Sequence, residues 1–151
     1  MKVLSLLAVA VSLLMGAVRA APAQSNETRE IILQGQVLCM DAAGKHHASC
    51  PEHPARYGLR TLQGDFYLFK SADTRTVMFT DPRVRRRTLQ ITAWMDGSRE
   101  LEIIKIQSVH EDAVFDLYYR CEVCNITTHT PGPCWCCQQE FEFRETPAKQ
   151  E

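Results

Sequence analysis

Arg29-Glu30-Ile31-Ile32-Leu33-Gln34-Gly35-Gln36-Val37-Leu38-Cys39-Met40 is the stretch on which the fold turns. Ile31, Leu33, Val37 and Cys39 recur at the two-residue interval of a β-strand. Gly35 falls in the same row, where a bulge or bend would sit. Working outward, Asp41 to Pro54 reads as a loop rich in His, Ala, Gly and Pro. Tyr57 to Thr61 and Phe66 to Lys70 then read as two strands joined by a turn at Gln63-Gly64, which is a hairpin. Ser71 to Arg87 is polar and irregular, with Asp81-Pro82 as a turn or helix start and a basic group at Arg83, Arg85, Arg86 and Arg87. Thr88 to Met95 alternates again, Asp96-Gly97 turns the chain, and Leu101 to Val109 follows with a period blurred by Ile104 and Ile106. After a turn at Glu111-Asp112, Val114 to Tyr119 runs straight into a group of cysteines, and Phe141 to Phe143 makes a short strand-like end. No repeat and no long amphipathic helix interrupts this pattern, so the expected class is all-β.

A glycine-kinked first strand, a hairpin, a crossing link and a closing pair resemble an OB-fold, the five-stranded Greek-key barrel. The resemblance covers Arg29 to about Val109 and rests on strand spacing. It implies a small OB-like barrel, with no function attached to it.

Ahead of that domain lies an export signal. Lys2 supplies a positive start, Val3 to Val18 is an almost unbroken apolar run, and Val18-Arg19-Ala20 presents residues of the kind a signal peptidase reads. The run is short for a membrane span. No Cys stands directly after it to receive a lipid. The expected division is a signal peptide over 1–20 with cleavage after Ala20, a flexible leader over 21–28, the OB-like barrel over 29–118, a cysteine-rich extension over 119–145 and a loose tail over 146–151. The whole chain of 151 residues carries 17 basic and 18 acidic side chains. Lys2 and Arg19 lie in the signal peptide, which leaves 15 basic against 18 acidic, a net of −3. Such a balance gives no reason to expect a nucleic-acid partner. The expected location is secreted or periplasmic, without integral membrane attachment after cleavage.

All seven cysteines follow the signal. An oxidising compartment favours disulfides, and an odd count leaves at least one sulfur for another use. The C-terminal group reads Cys121-Glu122-Val123-Cys124, nine residues, then Cys134-Trp135-Cys136-Cys137. Two Cys-x2-Cys pairs place two sulfurs each at a tight turn, and facing turns supply four corners of a tetrahedron about 2.3 Å from a zinc ion. Pro131-Gly132 turns the chain into the second pair. Cys136 offers an alternative to Cys134 or Cys137. Two disulfides within the same group are the competing expectation.

The segment resembles a zinc ribbon and, more narrowly, is similar to the short heavy-metal-binding domain appended to metal-efflux adaptor proteins. Tyr119, Cys121, Pro131, Gly132, Cys134 and Cys137 match that domain's pattern. Cys124 stands where the family has His, Trp135 replaces its Pro, and Gln138-Gln139 replaces its Gly-Met. The resemblance implies a bound metal ion, and the exchange of His for Cys favours zinc or a similar thiophilic ion.

A second group comprises Cys39 and Cys50 with His46, His47 and His53. A disulfide closing the ten residues between the two cysteines is the simple expectation. A second metal site from the same five residues is the sharper one. His129 lies within the cysteine hairpin, and His110 stands alone.

Three functions compete. The first is an exported, non-catalytic protein that binds zinc or a similar ion, either as structure or as cargo. The second is a disulfide-stabilised envelope module whose barrel meets a protein partner. The third is a thiol–disulfide oxidoreductase at Cys121 and Cys124, which requires that pair at a helix N-terminus. Asn125 to Thr128 is β-prone instead. Haem attachment fails because Asn125 and Gln138 stand where His is needed. No Ser-His-Asp pattern, paired-carboxylate motif or phosphate loop appears, so no enzyme is expected. Oligomeric state is open.

Overall fold

The computed structural model describes residues 28–41, 43–47, 50 and 56–149. The expected signal peptide over 1–20 and nearly all of the leader over 21–28 lie outside the described residues, as does His53. Nine strands are described: β1 (Arg29–Met40), β2 (His46–His47), β3 (Arg56–Thr61), β4 (Phe66–Phe69), β5 (Leu89–Met95), β6 (Glu100–His110), β7 (Ala113–Cys121), β8 (Ile126–Thr128) and β9 (Glu142–Pro147). They belong to one sheet, and among the described residues helix is confined to the link between β4 and β5.

β1 serves two partners. Its first half, Arg29 to Gly35, lies antiparallel to β5, and its second half, Gly35 to Met40, lies antiparallel to β3. The exchange happens at Gly35. A Cβ there would stand 2.1 Å from the Arg60 carbonyl oxygen, so only glycine allows the backbones to approach. β3 continues to β4, β4 runs parallel to β6, β6 pairs β5, and β5 returns to β1. The pairings therefore form a closed circuit of five strands. Inside it lie Leu59, Phe69, Leu89, Ile91, Leu101 and Ile103, all essentially without solvent contact.

The blurred period of β6 has a physical cause. Register shifts between Thr92 and Ala93, so that Thr92 faces Lys105 while Ala93 faces Ile103. Ile104 is the extra residue of a β-bulge and is left partly exposed.

The link read as irregular is ordered. A 3₁₀ segment (Thr74–Thr80) is capped by Asp73, whose carboxylate accepts the Arg75 amide at 2.9 Å and the Ile103 amide at 2.5 Å. One turn of helix, α1 (Pro82–Arg85), follows with Asp81 as its cap and Pro82 at its first position. Together they place Met78, Phe79 and Val84 in the core.

β7 leaves the circuit. Its first residues pair β6 over Ala113 to Asp116, and the remainder lies between β8 on one side and β9 on the other. It runs without a break through the expected boundary at 118. The chain after Glu145 was expected to be loose, but Thr146 and Pro147 complete β9, and the Ala148 amide donates to the Val114 carbonyl at 2.9 Å. Phe143 explains the docking: its ring packs on Tyr119 and lies beneath the guanidinium groups of Arg83 and Arg87. Glu145 completes it by accepting hydrogen bonds from Arg87, from Ser108 at 2.6 Å and from His110 at 3.0 Å. The Arg87 bonds, joined by Ser108 and His110, outweigh desolvation and hold this carboxyl down to about 2.

Candidate metal centre

β7 delivers Cys121, and a turn over Glu122 to Asn125 delivers Cys124 before β8 folds back to pair Cys121 with Ile126. Asn125 takes a left-handed backbone, with φ 54°, and its side chain accepts from Arg120 at 2.6 Å. The Cys124 amide donates to the Cys121 sulfur at 3.4 Å.

The second turn repeats the plan. Gly132, at φ 115°, bends the chain, and Pro133 bridges to Glu140. The Cys134 amide donates to the Gln139 carbonyl at 2.7 Å, and the Gln138 amide donates to the Cys134 carbonyl at 2.8 Å. Gln138 is left-handed at φ 63° and occupies the place after its second cysteine that Asn125 holds in the first turn. Phe141 is buried beneath, edge-on to Trp135.

The four sulfurs of Cys121, Cys124, Cys134 and Cys137 all lie within 4.8 Å of one another. Cys121 and Cys137 are 3.4 Å apart. A tetrahedron with metal–sulfur bonds of about 2.3 Å has edges of about 3.8 Å, so this spacing suits one thiophilic ion. In each pair the first cysteine is buried and the second half-buried. All four are free thiols, so the two disulfides weighed as the alternative do not form here. Cys136 was an alternative ligand, but it stays outside the set of four. Its side chain is exposed.

The protonation pattern reflects the crowding of the sulfurs. Cys134 is drawn down to about 7, by the Cys137 amide first and the Cys136 amide next, against desolvation. The Cys124 amide draws Cys121 down as well, yet desolvation and the thiols of Cys137 and Cys134 leave it raised. Cys124 is pushed up by its neighbours Cys136 and Cys137, and then by desolvation. Crowded sulfurs resist ionising together because like charges accumulate, and a bound cation removes that penalty.

The second group resolves differently. Cys39 and Cys50 form a disulfide with their Cα atoms 5.2 Å apart, as the simple expectation held. The sharper expectation of a metal site there loses both sulfurs. His47 instead contacts the Asp41 carboxylate at 2.8 Å, and His46 stacks on Phe66. The arginine group is likewise engaged: Arg83 with Asp81, Arg85 with the carbonyls of Phe79 and Thr80, and Arg87 with Glu145. His110 contacts Glu145, and His129 lines a small recess beside Met78, Ile104 and Ile106.

Sequence reading passed over Asn125 and Gln138 as contributors to the site. Their signal was positional: each directly follows the second cysteine of a pair, where a left-handed residue lets the turn close. Among the described residues, no helix is long and apolar enough to cross a membrane. No protein-family model, no curated protein and no solved structure matches the chain.

Proposed function

We propose that this is an exported, non-catalytic zinc-binding protein, in which an OB-like five-stranded barrel carries a zinc-ribbon-like centre at Cys121, Cys124, Cys134 and Cys137. The observation that carries the reading is the convergence of four sulfurs from two separate turns within 4.8 Å. Four thiolate ligands leave no open coordination position, so the ion would hold structure or be handled as cargo and would not activate water. The circuit β1–β3–β4–β6–β5, with its single parallel pairing and its helical link between β4 and β5, supports the OB-like reading. Export to the periplasm or the extracellular space is supported by the composition of residues 1–20 and by the Cys39–Cys50 disulfide.

The same disulfide favours a second reading, an envelope interaction module stabilised by sulfur bridges, with a protein partner on the barrel. Thiol exchange at Cys121 and Cys124 is the weakest reading, because the pair sits on a turn between strands where no helix dipole stabilises a thiolate.

Metal analysis of the purified full-length chain, paired with a thiol count after denaturation, is the test. The metal reading expects about one equivalent of zinc and a Cys121, Cys124, Cys134 and Cys137 set that reacts as free thiols once the ion is chelated. Zinc below about a tenth of an equivalent, with these thiols absent, would transfer the conclusion to the interaction module.

A further inference from the structure

β1, β5 and β6 present an outer face whose side chains lie in rows set by strand register. Gln34 faces Gln90, and Gln90 faces Gln107. Ile32 faces Thr92, and Glu30 faces Trp94. The first row is hydrogen-bonded from end to end. The Gln34 Nε2 donates to the Gln90 Oε1 at 3.0 Å, the Gln90 Nε2 to the Gln107 Oε1 at 3.4 Å, and the Gln107 Nε2 to the Asp116 Oδ1 on β7 at 2.8 Å. Crossing four strands at about 4.8 Å each, the row is about 14 Å long. Gln90 and Gln107 each accept once and donate once within it, so each keeps one N–H and one oxygen lone pair. The row also fixes their direction, which spares a ligand the cost of ordering them.

A cleft of about 590 Å³ opens at this row, lined by Ile32, Gln90, Thr92 and Gln107 of the sheet and by Pro147 and Ala148 at the end of β9. Ile32 is 61% exposed. Trp94, two residues beyond Thr92 on the same outward side of β5, is 41% exposed. The charges along the cleft balance. Lys105 is paired with Asp116 at 3.0 Å, and Lys149 is offset by Asp112. A polyanion finds no cationic excess here. An apolar protein surface would leave the free amide groups without partners. A fitting ligand is uncharged, carries both donors and acceptors, and has a flat apolar side for an indole. A pyranose chain has all three: hydroxyl groups at the rim of each ring, and C–H groups on its faces.

We propose that this face binds a neutral, extended oligosaccharide, with Gln90, Thr92 and Gln107 meeting its hydroxyl groups and Trp94 stacked on a sugar ring. The site shares no residue with the cysteine centre and stands apart from the metal reading. Isothermal titration calorimetry of the purified full-length chain with cellotriose and with chitotriose tests it. The wild type is expected to bind at least one of them at millimolar concentration. Trp94→Ala and Gln90→Ala should each weaken that binding by roughly tenfold. Trp135→Ala, which removes the exposed indole of the second cysteine turn, should bind as the wild type does. Melting temperatures check that each variant is folded, and the exposed Trp94 carries the test if Gln90→Ala does not fold. No binding of either sugar overturns the inference. Binding that survives Trp94→Ala, or is lost in Trp135→Ala, overturns it by placing the sugar elsewhere. So does self-association of the wild type that Trp94→Ala abolishes, which would give the face to a second copy of the chain.

Discussion

Two regions of this chain use sulfur in opposite ways. At β1, Cys39 and Cys50 are joined covalently, and the bridge ties a loop back to the strand that both halves of the circuit share. At the end of β7, four thiols approach from two turns without bonding to one another. The difference follows from local geometry. Cys39 has a single partner at bridging distance. Cys121 sits in a turn whose Cys124 amide donates to its sulfur, and Cys134 is drawn down towards a thiolate at about 7. One region is closed by oxidation, and the other offers four sulfurs that could hold one cation.

The sharpest way to break the comparison is to remove a ligand. Cys134 has no solvent contact, so Cys134→Ala empties a fully buried corner. Zinc is expected to fall from about one equivalent to under about a tenth, with a loss of at least about 3 kcal/mol, because ion binding and folding of the β8–β9 region are linked. Metal analysis and denaturant melts under reducing conditions read both. Full zinc and unchanged stability would mean that the four sulfurs are a packing cluster and that the two regions differ only in redox state.

The disulfide should matter less and elsewhere. Replacing both Cys39 and Cys50 by Ser is expected to lower stability by about 3 kcal/mol through loop-closure entropy. Zinc content should stay at the wild-type value. Loss of zinc in that double variant would show that the two sulfur regions depend on each other, which the separate strand pairings of β2 and β8 argue against.

Glu145 tests how the two parts are joined. It reaches from β9, beyond the second cysteine turn, to Ser108 and His110 on β6 and to Arg87 after α1. Its carboxyl is held at about 2 against an ordinary 4.5. A depressed carboxyl contributes stability that is fully present above its unfolded value and is lost as pH falls through its folded value. Glu145→Gln should therefore lower stability by on the order of 2 kcal/mol at neutral pH, and the gap to wild type should close between about pH 4.5 and 2. Paired urea melts across that window measure it. A gap that persists at the acid end would place the contribution in packing.

Much of this was legible in the residues. β1, the hairpin, β5, β6 and β7 were found within a residue or two, because alternation with one buried face is a local property. The two Cys-x2-Cys pairs were legible from spacing alone. What escaped depends on distant partners. Met78, Phe79 and Val84 are scattered through a polar stretch and become core only because Asp73 and Asp81 cap two short turns over the circuit. β9 presents Glu142, Arg144 and Glu145 among its few apolar residues, and only Arg83, Arg87 and Tyr119, far earlier in the chain, make Phe143 and Glu145 anchors. Within Cys134 to Cys137, three sulfurs crowd one turn. Of these the four-sulfur group takes Cys134 and Cys137, the two that the Cys-x2-Cys spacing picks.

The smallest effect concerns the symmetry between the two cysteine turns. Asn125 and Gln138 both hold left-handed backbones directly after a second cysteine. Asn125 suits that conformation, and its side chain is occupied by Arg120. Gln138 has neither advantage, and a Gln with positive φ carries a strain of about 1 kcal/mol. Gln138→Gly removes that strain but loosens the unfolded chain, so the expected net gain is about 0.5 kcal/mol. Asn125→Gly should give no gain, since it also removes the Arg120 bond. Denaturation midpoints of the two variants, each with zinc bound, decide the matter. If Gln138→Gly destabilises the protein, the Gln138 side chain has a role that its exposed position does not reveal, and the two turns are less alike than their backbones.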